Sequence, residues 1–541
     1  MEKGKSATKG FAVLGAAEFL IKVLSVIYIP VLLQIVGDIG YGIYNAGYQI
    51  YVFIYVLTNS GFPVAISKLH AELIAHENYR DARRSFALAR LLLTGYGLIM
   101  SVVTIVYAKQ ITSVLGYDRS YLVILALSPT ILFSAVSSAY RGYFNGYSNM
   151  KPTAVSKIIE QLLNVSLSLL FAVILKPYGI EWACAGATVG TTLGSLGSAL
   201  YLHNARVKDS HRLNHKTPDY VKRLKTKTII SKLLSYSIPI AINSIVVFGG
   251  NIVDLWNTKQ RLIAGGFTSD VSYIKYGVLG KYSQLLNVPL AITAAMQVAM
   301  IPTFSTAVEL KDNNLLKSYI NEAFKTSLLL SIPAAVGLAV LSKPVFLLLF
   351  SQKYIDGWYL MAMGSVVIVL ITIVQIQSGI LLVFNKTGLS TIAMLFGIFI
   401  KIFINYFLIA MPSINITGAV IGTIVCYIIA AYANSKFMQK ILPVNVVIKK
   451  HFGRPVIASA AMAIIVAAIY KILLIIFQSF MGLYLSNVFA TIAAVAAGAF
   501  TYMVIMIKIG GITMEDLNNI PYSRRIKKFI PKSILTAAKI E

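Results

Sequence analysis

Charge is scarce in this sequence, and negative charge scarcest of all. Only 13% of the 541 residues are charged, and 20 Asp and Glu face 48 Lys and Arg, a formal net charge of +28. A soluble domain carries about 25% charged and 45–50% apolar residues, so a 57% hydrophobic content and a mean hydropathy of +0.75 exclude an ordinary cytosolic enzyme. The two cysteines, Cys184 and Cys426, both lie in apolar runs. Two are too few for a disulfide framework or a thiolate metal cluster. His70, His76, His203, His211, His215 and His451 fall in polar loops or at the ends of apolar stretches. No zinc-protease, nucleophile-elbow, phosphate-loop or dinucleotide pattern occurs. No catalytic residue, metal ligand or cofactor is expected.

What the chain has instead is one long apolar run after another. Phe11 to Val36 is too long for a signal-peptide core and contains Lys22, so it reads as an uncleaved first span. Further candidates are 43–66, 86–108, 121–140, 154–175, 183–203, 233–256, 277–300, 324–342, 358–383, 388–410, 415–435, 455–477 and 485–507, with room for an extra half-helix at 344–360. Fourteen spans of about 21 residues need roughly 294 residues, which the apolar fraction can just supply. The expected fold is an all-α integral membrane protein with about 14 transmembrane helices.

A large positive excess in a soluble protein points to nucleic acid. Here its distribution argues otherwise. With the N-terminus inside, Lys68, Arg80, Arg83 and Arg84 share one side with the long loop from Arg206 to Lys232, with Lys436 to Arg454, and with Arg524, Arg525, Lys527 and Lys528. By this reckoning about 35 basic residues lie inside, about 9 outside and about 4 within spans, in accord with the positive-inside rule. The expectation is a multi-pass protein of the bacterial cytoplasmic membrane with both termini cytoplasmic, attracted to anionic lipid and not to nucleic acid.

Two six-residue stretches repeat. Gly186-Ala187-Thr188-Val189-Gly190-Thr191 opens the sixth span and Gly418-Ala419-Val420-Ile421-Gly422-Thr423 the twelfth. Phe144-Asn145 followed by Asn164 parallels Phe384-Asn385 followed by Asn405. Small residues do recur in any helical membrane protein, because they let helices approach. A match at the same ordinal span favours a true parallel repeat. The expected organisation is a six-helix lobe with its basic loop in 1–230, a second six-helix lobe in 231–440, and two added helices with a basic tail in 441–541. Two such lobes imply a substrate route between them, with alternating access by rocking.

A Lys or Arg at the centre of a span costs about 2.5–3.5 kcal/mol, so each one needs a reason. Lys22 has Glu18 one turn away, a spacing at which the two can neutralise each other. Asp254 is read as pairing with Lys259 or Arg261 at the mouth of span seven. Glu160-Gln161 inside span five needs a hydrogen-bonded interior, with Arg141 as the candidate partner. Lys275 and Lys281 open span eight, where snorkelling is the usual explanation. Lys401 and Lys471 have no obvious partner, and Lys401 is a candidate to line the second lobe's cavity. Lys22, Lys259, Arg261, Lys275 and Lys281 around one cavity would repel one another unless an anion enters. Asn59-Ser60-Gly61-Phe62-Pro63 interrupts span two, and Pro239, Pro289, Pro302 and Pro333 mark later spans as kinks or hinges.

Several of these segments in order have a familiar cast. Lys22-Val23-Leu24, Gly40-Tyr41-Gly42-Ile43-Tyr44 and Ser60-Gly61-Phe62-Pro63-Val64-Ala65-Ile66-Ser67-Lys68 resemble the opening of the stage V sporulation protein B group. So do Arg141-Gly142-Tyr143-Phe144-Asn145-Gly146, Met150-Lys151-Pro152-Thr153-Ala154-Val155-Ser156 and Glu160-Gln161, and the Asp254 to Arg261 segment matches that group's span-seven signature. The group belongs to the polysaccharide exporters of the MOP superfamily, near the MurJ-type lipid II flippases. The resemblance implies fourteen helices, two lobes, and flipping of an undecaprenyl-pyrophosphate-linked sugar past cationic side chains. Lys22 and Arg261 stand where the family carries basic residues. A second basic site of span one is Tyr28 or Ile29 here, and the basic residue three after Glu-Gln is Asn164, which leaves the glycan unspecified.

The expected function is thus a flippase, not an enzyme, for lipid II or a related lipid-linked oligosaccharide. Lys22, Lys259, Lys281 and Arg261 form its cationic cavity; Glu18, Asn59, Ser60, Gly61, Pro63, Arg141, Glu160, Gln161 and Asp254 line the cavity or serve as hinges. Its partners are the anionic lipid-linked sugar, membrane lipids, and a coupling ion (proton or sodium) or the membrane potential; a monomer suffices. The alternative is a cation-coupled multidrug exporter of the MATE type, dependent on Glu18, Asp254 or Glu160.

Overall fold

Long runs of apolar residues with few internal breakers satisfy their backbone groups best as helices, and in lipid they have no other open-chain choice. The computed structural model describes residues 2–209, 217, 218, 220–444, 446 and 448–512, the side chains of 2–14, 16, 18, 19 and 299 excepted. His211, Arg212, His215, Lys216 and the basic tail from Arg524 onward lie outside the described residues, as does the side chain of Glu18. The helices are α1 (Glu2–Asn59), α2 (Phe62–Ala75), α3 (Tyr79–Val114), α4 (Tyr121–Gly146), α5 (Lys151–Leu175), α6 (Ile180–Asp209), α7 (Thr226–Ala264), α8 (Ser269–Glu309), α9 (Asn313–Val340), α10 (Ser342–Phe350), α11 (Trp358–Gly364), α12 (Val367–Val383), α13 (Thr387–Leu408), α14 (Thr417–Ile441), α15 (Gly453–Gln478) and α16 (Leu483–Lys508). Among the described residues there is no strand.

Eleven helical stretches are long and apolar enough to cross a bilayer, or twelve if α11 and α12, bent by 46°, make one span. The sequence count of fourteen is not recovered on this measure, and two places account for the difference. α1 covers the first two expected spans as two helices joined without a loop at Gly37, whose non-helical φ of 70° and ψ of −179° suit only glycine, and they count together as one stretch. α6 is rich in Gly, Ser and Thr, and its composition keeps it out of the eleven. The half-helix expected at 344–360 is present as α10, with α11 after it. Large apolar side chains remain uncovered along α3 and α15, with Ile99 61% and Ile464 73% exposed. Such surfaces in water would be a severe liability; they face lipid. The chain is an all-α multi-pass membrane protein.

Two compact units can be distinguished, Met1–Gln284 with Met394–Gly422, and Leu285–Ala393 with Thr423–Glu541. In the first, α6 packs on α5 and α4, and α1 on α4, α5 and α7. Glycine makes the α5–α6 contact: a Cβ on Gly186 would lie 2.5 Å from the Phe171 carbonyl, and one on Gly194 2.5 Å from the Glu160 carbonyl. The two Gly-Ala-x-x-Gly-Thr stretches do the same job. Gly190 abuts the backbone of α5 at Asn164 and Ser168, and Gly422 abuts the side chain of Asn405 on α13. In each case the second glycine faces the asparagine that the sequence pattern paired with it. In the second unit α9 packs against α12 and α15, and α15 against α16, where Gly498 admits the Val466 side chain.

Candidate functional site

The interior of the first unit is held by charges whose partners lie far away in sequence. Lys281 is 1% exposed and its Nζ lies 2.8 Å from Oδ1 of Asp38, the residue after the Gly37 bend. The helices can meet there because Gly42 lies against the Tyr273 backbone and Gly277 and Gly280 against α1. Lys281 was expected to snorkel; it instead anchors α8 to α1.

Asp254 was expected to pair with Lys259 or Arg261, and the structure places it elsewhere. Its Oδ2 accepts from Lys401 Nζ at 2.8 Å and its Oδ1 from Asn405 Nδ2 at 2.8 Å. Lys401, expected to lack a partner, also donates to the Gly250 carbonyl at 3.2 Å. Local spacing misled here for a geometric reason. Residues one or two turns ahead on α7 point along the same helix, whereas Lys401 and Asn405, one turn apart on α13, both face Asp254.

The third buried pair is the one anticipated. Arg141 Nη2 on α4 meets Glu160 Oε2 on α5 at 2.5 Å and Ser198 Oγ on α6 at 2.9 Å, so one guanidinium ties three helices. Beside it, Gln161 Nε2 donates to Ser25 Oγ on α1 at 3.3 Å. Ser25 is three residues from Lys22, which is half-buried. Among the described side chains Lys22 has no ion pair. The α1–α5 seam therefore gathers a cation, a hydroxyl and an amide beside a neutralised Arg–Glu pair.

The other expected cations each have a local partner. Lys259 is 6% exposed and sits over the Tyr273 ring at 4.2 Å, with Tyr117 at 5.4 Å. Arg261 stacks on Tyr406 at 3.8 Å and donates from Nε to the Tyr406 carbonyl in the last turn of α13, a favourable place for a cation. Lys275 lies 5.2 Å over the Phe267 ring. Lys259, Arg261 and Lys275 thus each lie against an aromatic ring, a contact that low dielectric favours.

The break between α1 and α2 falls at Ser60 and Gly61, where the sequence placed it. Gly61 has φ of 83° and touches the Ser237 carbonyl of α7, so a side chain has neither the dihedral nor the room. Pro63 occupies the first turn of α2, where its missing N–H costs nothing. Asn59 is 3% exposed; its amide donates to the Tyr55 carbonyl and its Oδ1 accepts from Ser138 Oγ at 3.2 Å.

Two features escaped the sequence reading. Asp38, the partner of Lys281, was not among the residues singled out in the sequence. A ladder of rings runs along α1, Tyr41–Tyr44–Tyr48–Tyr51–Tyr55, with successive centroids 5.7–6.1 Å apart. Its signal is the alternating three and four spacing, which keeps every ring on one helix face.

A family profile described as polysaccharide biosynthesis protein matches residues 7–308. Stage V sporulation protein B of Bacillus subtilis (strain 168) is 25% identical over 532 residues, covering 96% of this chain and 98% of that protein. Lipid II flippase MurJ of the same organism is 25% identical, covering 88% of this chain and 89% of its own length. Among solved structures, lipid II flippase MurJ in an inward closed conformation superposes with a TM-score of 0.67 at 16% identity, over 91% of this chain and 98% of that one. An inward-facing multidrug resistance MATE transporter of the MOP superfamily gives 0.64 at 14% identity, over 79% and 96%. At such identities the structures speak to the fold alone.

Proposed function

The chain belongs to the polysaccharide biosynthesis protein family, and from that membership we propose that it is a flippase for an undecaprenyl-pyrophosphate-linked cell-wall precursor, lipid II or a related lipid-linked oligosaccharide. The observation that carries this reading is the end-to-end match with a sporulation protein and with a lipid II flippase, each covered over most of its length. It acts in peptidoglycan or spore-cortex synthesis at the bacterial cytoplasmic membrane, as a monomer with both termini cytoplasmic.

No covalent chemistry is needed. The sugar head crosses a hydrated route between a lobe of residues 1–230 and a lobe of 231–440 while the polyprenyl tail stays in lipid; 441–541 adds two helices and a basic tail. Alternating access exposes the route to one face and then the other. Lys22 is the cation best placed to meet the pyrophosphate, since it is half-buried and, among the described side chains, has no ion pair. Ser25 and Gln161 beside it offer a hydroxyl and an amide to sugar oxygens. Lys259, Lys281 and Arg261 act through position: they fix α7 and α8 and leave the site's positive potential in place. A coupling ion or the membrane potential drives the return.

The test is complementation of a bacterium deprived of its lipid II flippase, scored by accumulation of the lipid-linked precursor. The wild-type chain should restore growth and clear the precursor, and Lys22→Ala, inserted at normal levels, should lose at least about tenfold in flipping rate. Full flipping by that variant would sink the cationic-site reading.

The multidrug alternative shares the fold with the MATE structure. It needs an open carboxylate for a coupling cation; both oxygens of Asp254 are taken by Lys401 and Asn405, and Glu160 is paired with Arg141. Drug-resistance assays with Glu18→Gln, Asp254→Asn and Glu160→Gln variants separate the two: the alternative predicts wild-type export that collapses in at least one of them, the flippase reading no drug export at all.

A further inference from the structure

The tyrosine ladder of α1 is an uneconomical way to fill a helix face inside a membrane protein. Leu or Val would pack as well without bringing in hydroxyls that each need a partner. From Tyr41 to Tyr55 the ladder extends about 21 Å along the helix, roughly two thirds of the apolar thickness of a bilayer. This half of α1 does not face lipid. No residue from Ile35 to Pro63 is exposed, whereas Ile27 and Val31 before it and Val64 after it are. Tyr41, Tyr44 and Tyr51 are buried, but Tyr48 and Tyr55 are only half-buried, so their open surface borders space inside the protein.

The ladder adjoins the polar seam that holds Lys22. The Tyr28 ring meets Tyr44 edge-on at 6.3 Å, which sets the two halves of α1 side by side, and its hydroxyl donates to the Ala187 carbonyl at 2.8 Å. Tyr48 and Tyr51 both lie within electrostatic reach of the Glu160 carboxylate, and Glu160 precedes Gln161, whose amide donates to Ser25. A cation, a hydroxyl, an amide and a row of aromatic rings together suit a sugar phosphate. A pyranose has an apolar face of C–H groups that lies flat on a ring, whose negative face attracts those hydrogens. Its hydroxyls then turn outward to hydrogen-bonding neighbours.

We propose that Tyr48 and Tyr55 stack two successive pyranose rings of the lipid-linked glycan while Lys22 holds the pyrophosphate. The inference rests on the flippase reading and adds to it the part of the substrate that α1 recognises, a glycan of at least two sugars. Seven residues separate the two tyrosines, about 10 Å along the helix, which is the length of a disaccharide. Tyr51, buried between them at centroid distances of 5.8 and 6.0 Å, holds both rings in place. Stacking reads the ring and not its substituents, so a glycan can pass from one tyrosine to the next without breaking a specific hydrogen bond.

The test titrates the full chain, purified in mild detergent, with undecaprenyl pyrophosphate and with the same lipid carrying a peptide-free disaccharide, and counts bound lipid by native mass spectrometry. The wild type should bind the disaccharide lipid at least about tenfold more tightly, from roughly fivefold for each ring. Tyr48→Leu/Tyr55→Leu should erase that preference while binding the bare lipid as before, which also shows that the variant is folded. Tyr48→Phe/Tyr55→Phe keeps the rings and should restore the preference. Tyr96→Leu/Tyr107→Leu, on the exposed face of α3, should change nothing. Lys22→Ala should weaken both lipids alike. Equal binding of the two lipids by the wild type, a preference that survives the Leu variant, or a Phe variant that behaves like it would overturn stacking and leave the pyrophosphate reading standing. Equal losses of both lipids in the Leu variant would make the ladder a packing element and overturn the proposal as well. A wild type that binds neither lipid would overturn the flippase reading and this proposal together.

Discussion

The first unit ties its helices with ion pairs, Asp38 with Lys281, Glu160 with Arg141 and Asp254 with Lys401, beside neutral contacts such as Asn59 with Ser138 and Asn164 with Thr191. In the second, among the described residues, the contacts between helices run between amides and hydroxyls: Gln377 with Ser435, Ser378 with Ser390, Asn434 with Ser390, Thr293 with Gln375. Both kinds hold helices together, but they fail differently. A neutral contact that loses one partner leaves a dipole unsatisfied; an ion pair that loses one leaves a whole charge in a medium that cannot solvate it. The first unit is therefore sharply specified and brittle at a few points. The second is more forgiving.

The largest effect should follow from breaking the most enclosed of the ion pairs. Lys401→Met removes the ammonium and leaves Asp254 with only the Asn405 amide, which should destabilise the protein by about 3–5 kcal/mol. The double variant Lys401→Met/Asp254→Leu removes both charges at similar volume and should recover most of that loss, because buried pairs contribute little net stability. Thermal unfolding of the purified protein in detergent reads both. Equal melting of the single and double variants would erase the distinction between the units.

A second contrast uses glycine. Gly61 of the first unit combines a positive φ with contact to the Ser237 carbonyl, so Gly61→Ala should cost about 1–3 kcal/mol. Gly337 of the second lies mid-helix in α9, where an added Cβ meets only the tip of Met462 at 3.9 Å. Gly337→Ala should instead gain about 0.5–1 kcal/mol by helix propensity. Opposite signs in the same unfolding assay are the expected result.

Gly61 was legible from the sequence, and so was most of the architecture. Helix-forming apolar runs, a Ser-Gly-Phe-Pro break and paired Gly-Ala-x-x-Gly-Thr stretches are local signals, and local geometry follows from them. The partners of buried charges were not legible in the same way. Arg141 and Glu160 could be matched because they sit on consecutive helices; Asp254 and Lys401 lie 147 positions apart, and Lys281 and Asp38 243. Nothing in a linear pattern chooses between Lys259, Arg261 and Lys401 for one carboxylate, since the choice is made by which helix faces α7. Fewer than fourteen spans stand out by length and hydropathy for a related reason. The two helices of α1 meet at Gly37 with no loop between them, and α6 exchanges hydropathy for small residues that let helices touch.

The smallest effect belongs to the neutral interior and probes the comparison most finely. Gln377 is fully buried in α12; its amide donates to the Ala431 carbonyl at 3.1 Å and to Ser435 Oγ at 2.8 Å. Its own carbonyl oxygen is buried with no hydrogen-bond partner among the described residues. Gln377→Leu forfeits two hydrogen bonds worth about 1 kcal/mol each, while relieving an unsatisfied acceptor that costs about 1–3 kcal/mol. Ala431 keeps its helical backbone bond and Ser435 can still donate to the Ala431 carbonyl, as it does at 2.8 Å, so neither partner is stranded. The two sides nearly cancel, and the melting temperature should move by no more than about 4 °C in either direction. A collapse comparable with Lys401→Met would mean that the second unit's amides are as indispensable as the first unit's ions, and that charge is not what separates the two interiors.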